Sequence, residues 1–496
     1  MYKELKSIFK SSLLYSLSGI MAKVMGLILI PFFTNVLYLS QEEYGVMGLM
    51  EALLVLSPTI IIFGINIGFS RFYWDKDYVG KKKSLMFNNL LLTIVSSSFF
   101  FLLVYTFRDN LSRFLFTSTD YSNILLIGVI IAFFIITNGF MTELLKLNEK
   151  SKKLTAINFI YYTSLLCLTI LFMVVLKKGL LGVYIAQLLA LIVQFIFYIP
   201  LFIKHTEVKF DKLIIKDLLI YSLPIAAASL SSVMFSLADK YTLRFMSDLP
   251  DVGYYTLGFR LSNTFKIIIS VSILSALIPV LYKTMKTKEG YKMHERSFKY
   301  ISILGACLAL SFILLRTEIV RIFAHDPSYL VSSIIIPFVV CGLYISMLKD
   351  IIIVGLNIEK KTKFIGFSTF IMAFVNIALN ILCVYLFSIL KLELILGTAF
   401  ATFLINIIYL LWVYLYSRKF YPVRYKIGSM FLILFLMILF VLLGEVGVYF
   451  SLIGAFAYRL VLIILFPFSL YLFNVISNKE KQGMLDLFGD MKRKIS

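Results

Sequence analysis

Three cations stand deep within apolar runs of this 496-residue chain, and they carry its most pointed chemistry. Lys23 lies in the middle of the run 11–37, and Arg260 and Lys266 lie within 252–282. Arg260, Asn263, Lys266 and Ser270 follow at steps of three, three and four, so on a helix they form one narrow polar stripe. Guanidinium and ammonium groups gathered at one place can grip a phosphate. A charge at mid-membrane is costly, so each group has to face protein, water or a ligand rather than lipid.

The acids qualify this reading. Glu51 falls in the run 44–70 at about the depth of Lys23, so mutual neutralisation and ligand binding are both open for Lys23. Asp239 and Lys240, near the end of the run 217–243, can pair with each other or with Arg244. Glu51 and Asp239 are also the candidates for coupling to a proton or sodium ion. Ser12, Ser16, Gly19, Lys23 and Gly26 share one helical face, as do Ser222, Ser229, Ser232, Ser236 and Asp239. Small residues on such faces serve close helix packing. With Lys23 and Asp239 added, two walls of one cavity is the sharper reading.

Other polar positions have plainer readings. Asn376 and Asn380, at i and i+4, suit bridging between helices. Lys349 and Asp350 read as lying near the inner interface, where snorkelling makes charge inexpensive. Three histidines in separate loops form no metal cluster, and four cysteines within apolar runs read as packing. No metal or cofactor is expected.

These side chains need membrane helices to position them. Hydrophobic residues make up 60% of the chain, and apolar runs of roughly 20 residues recur from end to end. Fourteen candidate spans result, the first at 11–37 and the last at 456–477, and the fold expected is an all-α polytopic bundle. A β-barrel would show short alternating segments instead. The first run is too long for a signal-peptide core and has no small-residue cleavage site, so it is expected to stay. The net charge of +21 does not point to nucleic acid. About 35 Lys and Arg fall in alternate loops against about 10 in the others, which places both termini in the cytoplasm. The short outward loops hold no catalytic grouping and the inward loops no phosphate-binding glycine motif, so an enzyme is not expected. Pro31, Pro58, Pro224, Pro279 and Pro337 within spans are expected kinks.

The chain also repeats itself. Tyr15-Ser16-Leu17 is echoed by Tyr221-Ser222-Leu223, Gly45 by Gly253, Leu147-Asn148 by Leu356-Asn357, and Leu181-Gly182 by Leu396-Gly397, at offsets of 206, 208, 209 and 215. Spans one to six then correspond to seven to twelve in the same orientation. The division expected is a lobe at 1–210, a second at 211–417, two helices within 418–478, and a basic cytoplasmic tail at 479–496.

The stretches Asn357 to Lys363, Val375 to Asn380 and Leu396 to Thr402, with Ser222-Leu223-Pro224 and Asp239-Lys240, resemble the bacterial polysaccharide and O-antigen repeat-unit flippases. These belong to the multidrug/oligosaccharidyl-lipid/polysaccharide exporter superfamily. The resemblance implies two six-helix bundles facing each other in a V, plus two further helices. It implies a bacterial cytoplasmic-membrane protein that moves an undecaprenyl-pyrophosphate-linked oligosaccharide outward by alternating access, for lipopolysaccharide or capsule assembly. Glycosyltransferases and a polysaccharide polymerase would be its partners. In related lipid-precursor flippases, basic residues of the first and eighth helices serve the pyrophosphate, and Lys23, Arg260 and Lys266 occupy matching helices. Two other readings stay open: a cation-coupled exporter of small molecules using Asp239 and Glu51, and a membrane glycan polymerase or ligase.

Overall fold

A computed structural model of the chain describes residues 19, 21–269, 273–423, 425–473 and 475. Ser12, Ser16 and Ser270 of the polar stripes, the Tyr15-Ser16-Leu17 match, the N-terminal lysines, Arg424 and the tail 479–496 lie outside them. The helices begin with α1 (Met21–Phe33), α2 (Gln41–Ile62), α3 (Ile65–Phe72), α4 (Lys82–Phe116), α5 (Ser122–Leu147) and α6 (Ser151–Thr169). Next come α7 (Gly179–His205), α8 (Lys212–Met246), α9 (Leu249–Ile269), α10 (Ser275–Lys283), α11 (Lys288–Leu314) and α12 (Arg316–Phe323). The last are α13 (Ile336–Ile358), α14 (Thr362–Ile389), α15 (Leu394–Ser417), α16 (Ile427–Glu445) and α17 (Leu452–Leu472). No strand occurs among the described residues. Lipid offers the backbone no hydrogen-bond partner, and a helix satisfies its own.

Among the described residues, twelve helices are long and apolar enough to cross a membrane. The two other expected spans, 11–37 and 252–282, are represented among the described residues by α1 and by α9 with α10. The protein is an all-helical, multi-pass membrane protein.

Local chemistry sets the helix ends. Ser40 caps α2 by accepting from the Glu43 amide at 3.1 Å, while the Glu43 carboxylate accepts from the Ser40 amide at 2.9 Å. The single span expected over 44–70 is broken: Phe63 (φ 48°) and Gly64 (φ 67°) are both left-handed, so α2 stops and α3 starts afresh. Within α6's span, Ile170–Val175 winds as a π-helical turn. Pro58 and Pro224 do fall inside α2 and α8, but Pro337 sits in the first turn of α13. There its missing N–H is harmless, so it marks a helix start and not a kink.

The repeat is visible in backbone geometry. Glu149 (φ 54°) and Lys360 (φ 56°), 211 residues apart, end α5 and α13 in the left-handed region. Lys150 N–H donates to Leu145 O at 2.8 Å and Lys361 N–H to Leu356 O at 2.9 Å, the same closing bond twice. The geometric offset is therefore two residues beyond the 209 of the letter match. Lys177 (φ 50°) and Lys391 (φ 55°) form a second such pair. Gly182 lets α7 approach Phe172 backbone, and Gly397 lets α15 approach Cys383 backbone, each with a prospective Cβ only 3.0 Å away. Gly45 and Gly253 face each other directly: a Cβ on either would lie 3.2 to 3.3 Å from the other's amide nitrogen.

By contact the chain forms two compact units. One comprises Met1–Leu257, Ile322–Val331 and Gly366–Thr398; the other comprises Gly258–Arg321, Ser332–Ile365 and Ala399–Ser496. In the first, α5 packs on α4 and α7, and α8 packs on α2, α3 and α4. In the second, α11 packs on α13, α16 and α17.

Candidate functional site

In the first unit, the charges in the last third of α8 are each tied to a different helix. Asp239 is buried at 4% exposure. It accepts from Tyr255 Oη on α9 at 2.7 Å and from Asn380 Nδ2 on α14 at 3.0 Å. Asn376 donates to Phe235 O at 2.8 Å, so both asparagines bridge α14 to α8. Lys240 donates to Gly48 O on α2 at 3.1 Å. Arg244 Nε donates to Leu115 O at 2.6 Å, closing the carbonyl end of α4 where a cation is favoured.

The stripe expected on α8 is covered at both ends and open between them. Ser222 is fully buried where Gly68 of α3 leaves room for its hydroxyl. Ser229 is half-buried, and Ser232 and Ser236 are exposed. Lys23 on α1 is exposed, with no hydrogen bond or ion pair to Glu51 or to any other described residue. Glu51 on α2 is half-buried.

In the second unit, the face of α9 that bears the cations is half-open. Leu261, Phe265 and Ile269 are buried at 2% exposure or less, whereas Arg260, Asn263 and Lys266 are half-buried. Lys266 Nζ donates to Ser346 Oγ at 3.1 Å and lies 3.4 Å from Asp350 Oδ2. Asp350 Oδ1 lies 3.4 Å from Lys349 Nζ, which sits 4.3 Å from the centre of the Tyr409 ring on α15.

Lys349 is buried at 9% exposure, about 14 Å from the end of α13 at Ile358, so its ammonium group meets protein and not open water. Ser346, Lys349 and Asp350 at i, i+3 and i+4 on an apolar helix were the available signal. The arrangement is two ammonium groups around one carboxylate, with a guanidinium about 9 Å further along α9, which can hold a multiply charged anion.

The first half has a neutral counterpart at the repeat-related places. Asn138 on α5 corresponds to Lys349 at the offset of 211, and Gln194 on α7 to Tyr409 at 215. Asn138 Nδ2 donates to Gln194 Oε1 at 3.0 Å, and Gln194 Nε2 donates to Asn158 Oδ1 on α6 at 3.2 Å. No group of three or more metal-ligating side chains occurs among the described residues.

A family model described as "Polysaccharide biosynthesis protein" matches residues 8–285. A solved structure titled lipid II flippase MurJ, inward closed conformation, matches with a TM-score of 0.72 at 17% identity, covering 94% of this chain and all of that one. An inward-facing multidrug resistance MATE family transporter of the MOP superfamily matches at 0.59 and 15% identity, over 80% of this chain and 98% of that one. A MATE structure in the straight conformation matches at 0.56 and 15%, over 84% and 96%. None of the curated proteins compared matches the chain. At these identities the structural likenesses establish a fold shared with MurJ and MATE proteins.

Proposed function

The chain belongs to the polysaccharide biosynthesis protein family, and from that premise we propose that it is a flippase for lipid-linked oligosaccharide. It is a transporter of the MOP type, acting in the bacterial cytoplasmic membrane with both termini inside. The cargo is an oligosaccharide repeat unit on undecaprenyl pyrophosphate, delivered by glycosyltransferases and passed on to a polymerase. The repeat halves 1–210 and 211–417 provide the alternating access, and 418–478 supplies the last two of fourteen spans.

The observation that carries the reading is the half-open stripe Arg260, Asn263, Lys266 on a helix whose other face is buried. A cationic face left partly uncovered in a membrane suits an anionic headgroup, and Arg260 is the residue best suited to bidentate contact. Lys266 and Lys23 assist, and Ser229 and Ser232 line the path of the sugars. Leaflet-resolved transport of a lipid-linked oligosaccharide in proteoliposomes tests this. Wild type should move the lipid, and Arg260→Ala with Lys266→Ala should abolish movement in folded protein. Undiminished transport by the double variant would sink the anion-grip role.

Asp239 favours a second reading, a cation-coupled exporter. Its buried carboxylate, held by Tyr255 and Asn380, is the acid best placed to take up a coupling proton or sodium ion, with Glu51 as the other candidate. Ion-driven efflux of a cationic dye, lost in Asp239→Asn and seen without any lipid transport, would decide for the exporter.

A further inference from the structure

Lys349 and Asp350 lie outside the stripe used above, yet they close on it. The two oxygens of Asp350 each meet one ammonium group at 3.4 Å, Lys266 on one side and Lys349 on the other. Ser346 accepts from Lys266 at 3.1 Å, and the Tyr409 ring backs Lys349 at 4.3 Å. Residues of α9, α13 and α15 that lie in one unit thus hold two ammonium groups on the two oxygens of one carboxylate, with one net positive charge. The members differ in access: the Lys349 side chain is 11% exposed, that of Lys266 26%, and that of Asp350 39%. The carboxylate is the open member of the cluster.

A carboxylate seated between two ammonium groups occupies the place that a phosphoryl group would take. It brings one negative charge, whereas a pyrophosphate brings two or three through more acceptor oxygens. An anion of higher charge arriving from the open side can therefore displace it. A purely structural triad behaves differently, because neutralising Asp350 would leave Lys349 buried without compensation and nothing gained.

We propose that Lys349 is a further anion-binding residue and that Asp350 is a built-in counter-ion, displaced when a pyrophosphate group binds between Lys266 and Lys349. This rests on the anionic-headgroup reading of α9. Asp350 would hold the lysines in register while the site is empty and reject singly charged anions that cannot outcompete it.

The test is binding to the full-length protein in nanodiscs, with inorganic pyrophosphate and farnesyl pyrophosphate as probes. Asp350→Asn should tighten binding by about tenfold, because an internal competitor is gone. Lys349→Gln should weaken it by about tenfold, and Lys349→Arg should stay within about threefold. Tightening with both probes assigns the site to the pyrophosphate group itself; tightening with the prenyl probe alone assigns it to the lipid-borne group. Asp350→Asn protein that melts like wild type but binds both probes no more tightly overturns the proposal. If Asp350→Asn does not fold, the Lys349 pair decides, and wild-type binding by Lys349→Gln overturns it. Wild type that binds pyrophosphate yet fails to translocate the lipid-linked oligosaccharide would reject the flippase reading and keep this site.

Discussion

At repeat-related places the two halves of the chain put different chemistry on the same scaffold. In the first, Asn138 and Gln194 bond to each other and on to Asn158, a neutral ladder across α5, α7 and α6. In the second, Lys349 and Tyr409 stand at the corresponding positions, with Asp350 and Lys266 completing a charged cluster. The helix ends match closely, down to Glu149 and Lys360 at φ 54° and 56°. So the frame is conserved between halves while the polar contents are not. The neutral ladder satisfies its amides internally, which is what helix packing in lipid asks for. The charged cluster keeps a net positive charge and an open carboxylate, which packing does not require. On the flippase proposal, the first half's polar centre is structural and the second's is directed at a ligand.

That contrast can be broken at several points. The largest effect is expected where the halves meet, at Gly45 and Gly253. A leucine at either position must push backbone apart, and the loss of more than about 3 kcal/mol should leave no folded protein by size-exclusion chromatography. Equal damage from both would support their equivalence, whereas tolerance at one would show that the contact is not symmetric. Next, Lys349→Gln should cut oligosaccharide-lipid transport by tenfold or more, about 1.4 kcal/mol, with melting little changed. Asn138→Leu should do the reverse, lowering stability by about 1 kcal/mol while transport stays within about twofold. Melting curves and transport rates on the same preparations separate the two.

The smallest effect concerns the connection between halves. Asp211 caps α8 through the Leu213 and Ile214 amides and lies 3.6 Å from Lys81. Slight desolvation pushes its carboxyl upward, but those amides and the Lys81 ammonium outweigh it and hold the group below its usual range. A lowered carboxylate contributes stability above the ordinary value near 4, and that contribution is lost as pH falls below it. Asp211→Ala should therefore cost about 1 kcal/mol at neutral pH. The gap from wild type should close on acidification. A gap independent of pH would mean that the cap acts through its geometry alone.

Much of the fold was legible because membrane helices write themselves in composition. Apolar runs gave the helical class, and Gly182 and Gly397, which echo each other in sequence, both lie where a backbone passes closely. The break at Phe63-Gly64 was hidden, since both residues suit an apolar run and only their left-handed backbone interrupts the helix. The site was half legible. Arg260, Asn263 and Lys266 announce themselves by helical spacing, and Asn376 and Asn380 do bridge helices as their spacing suggested. The partnership of Lys266 with Asp350 spans 84 positions and two helices, so no local pattern encodes it. The burial of Lys349 against Tyr409 likewise joins two helices 60 positions apart, which no local pattern encodes. The fate of Lys23 also needed structure, because its depth alone made Glu51 as good a partner as a ligand.

The most direct measurement sets the halves against each other in one assay, the initial rate of lipid-linked oligosaccharide translocation in proteoliposomes. Arg260→Gln and Gln194→Leu are compared at matched amounts of folded protein. A fall of about a hundredfold for Arg260→Gln, with Gln194→Leu within about threefold of wild type, is the expected result. Equal losses in the two variants, or full activity without Arg260, would contradict a cationic grip centred on Arg260 in the second half.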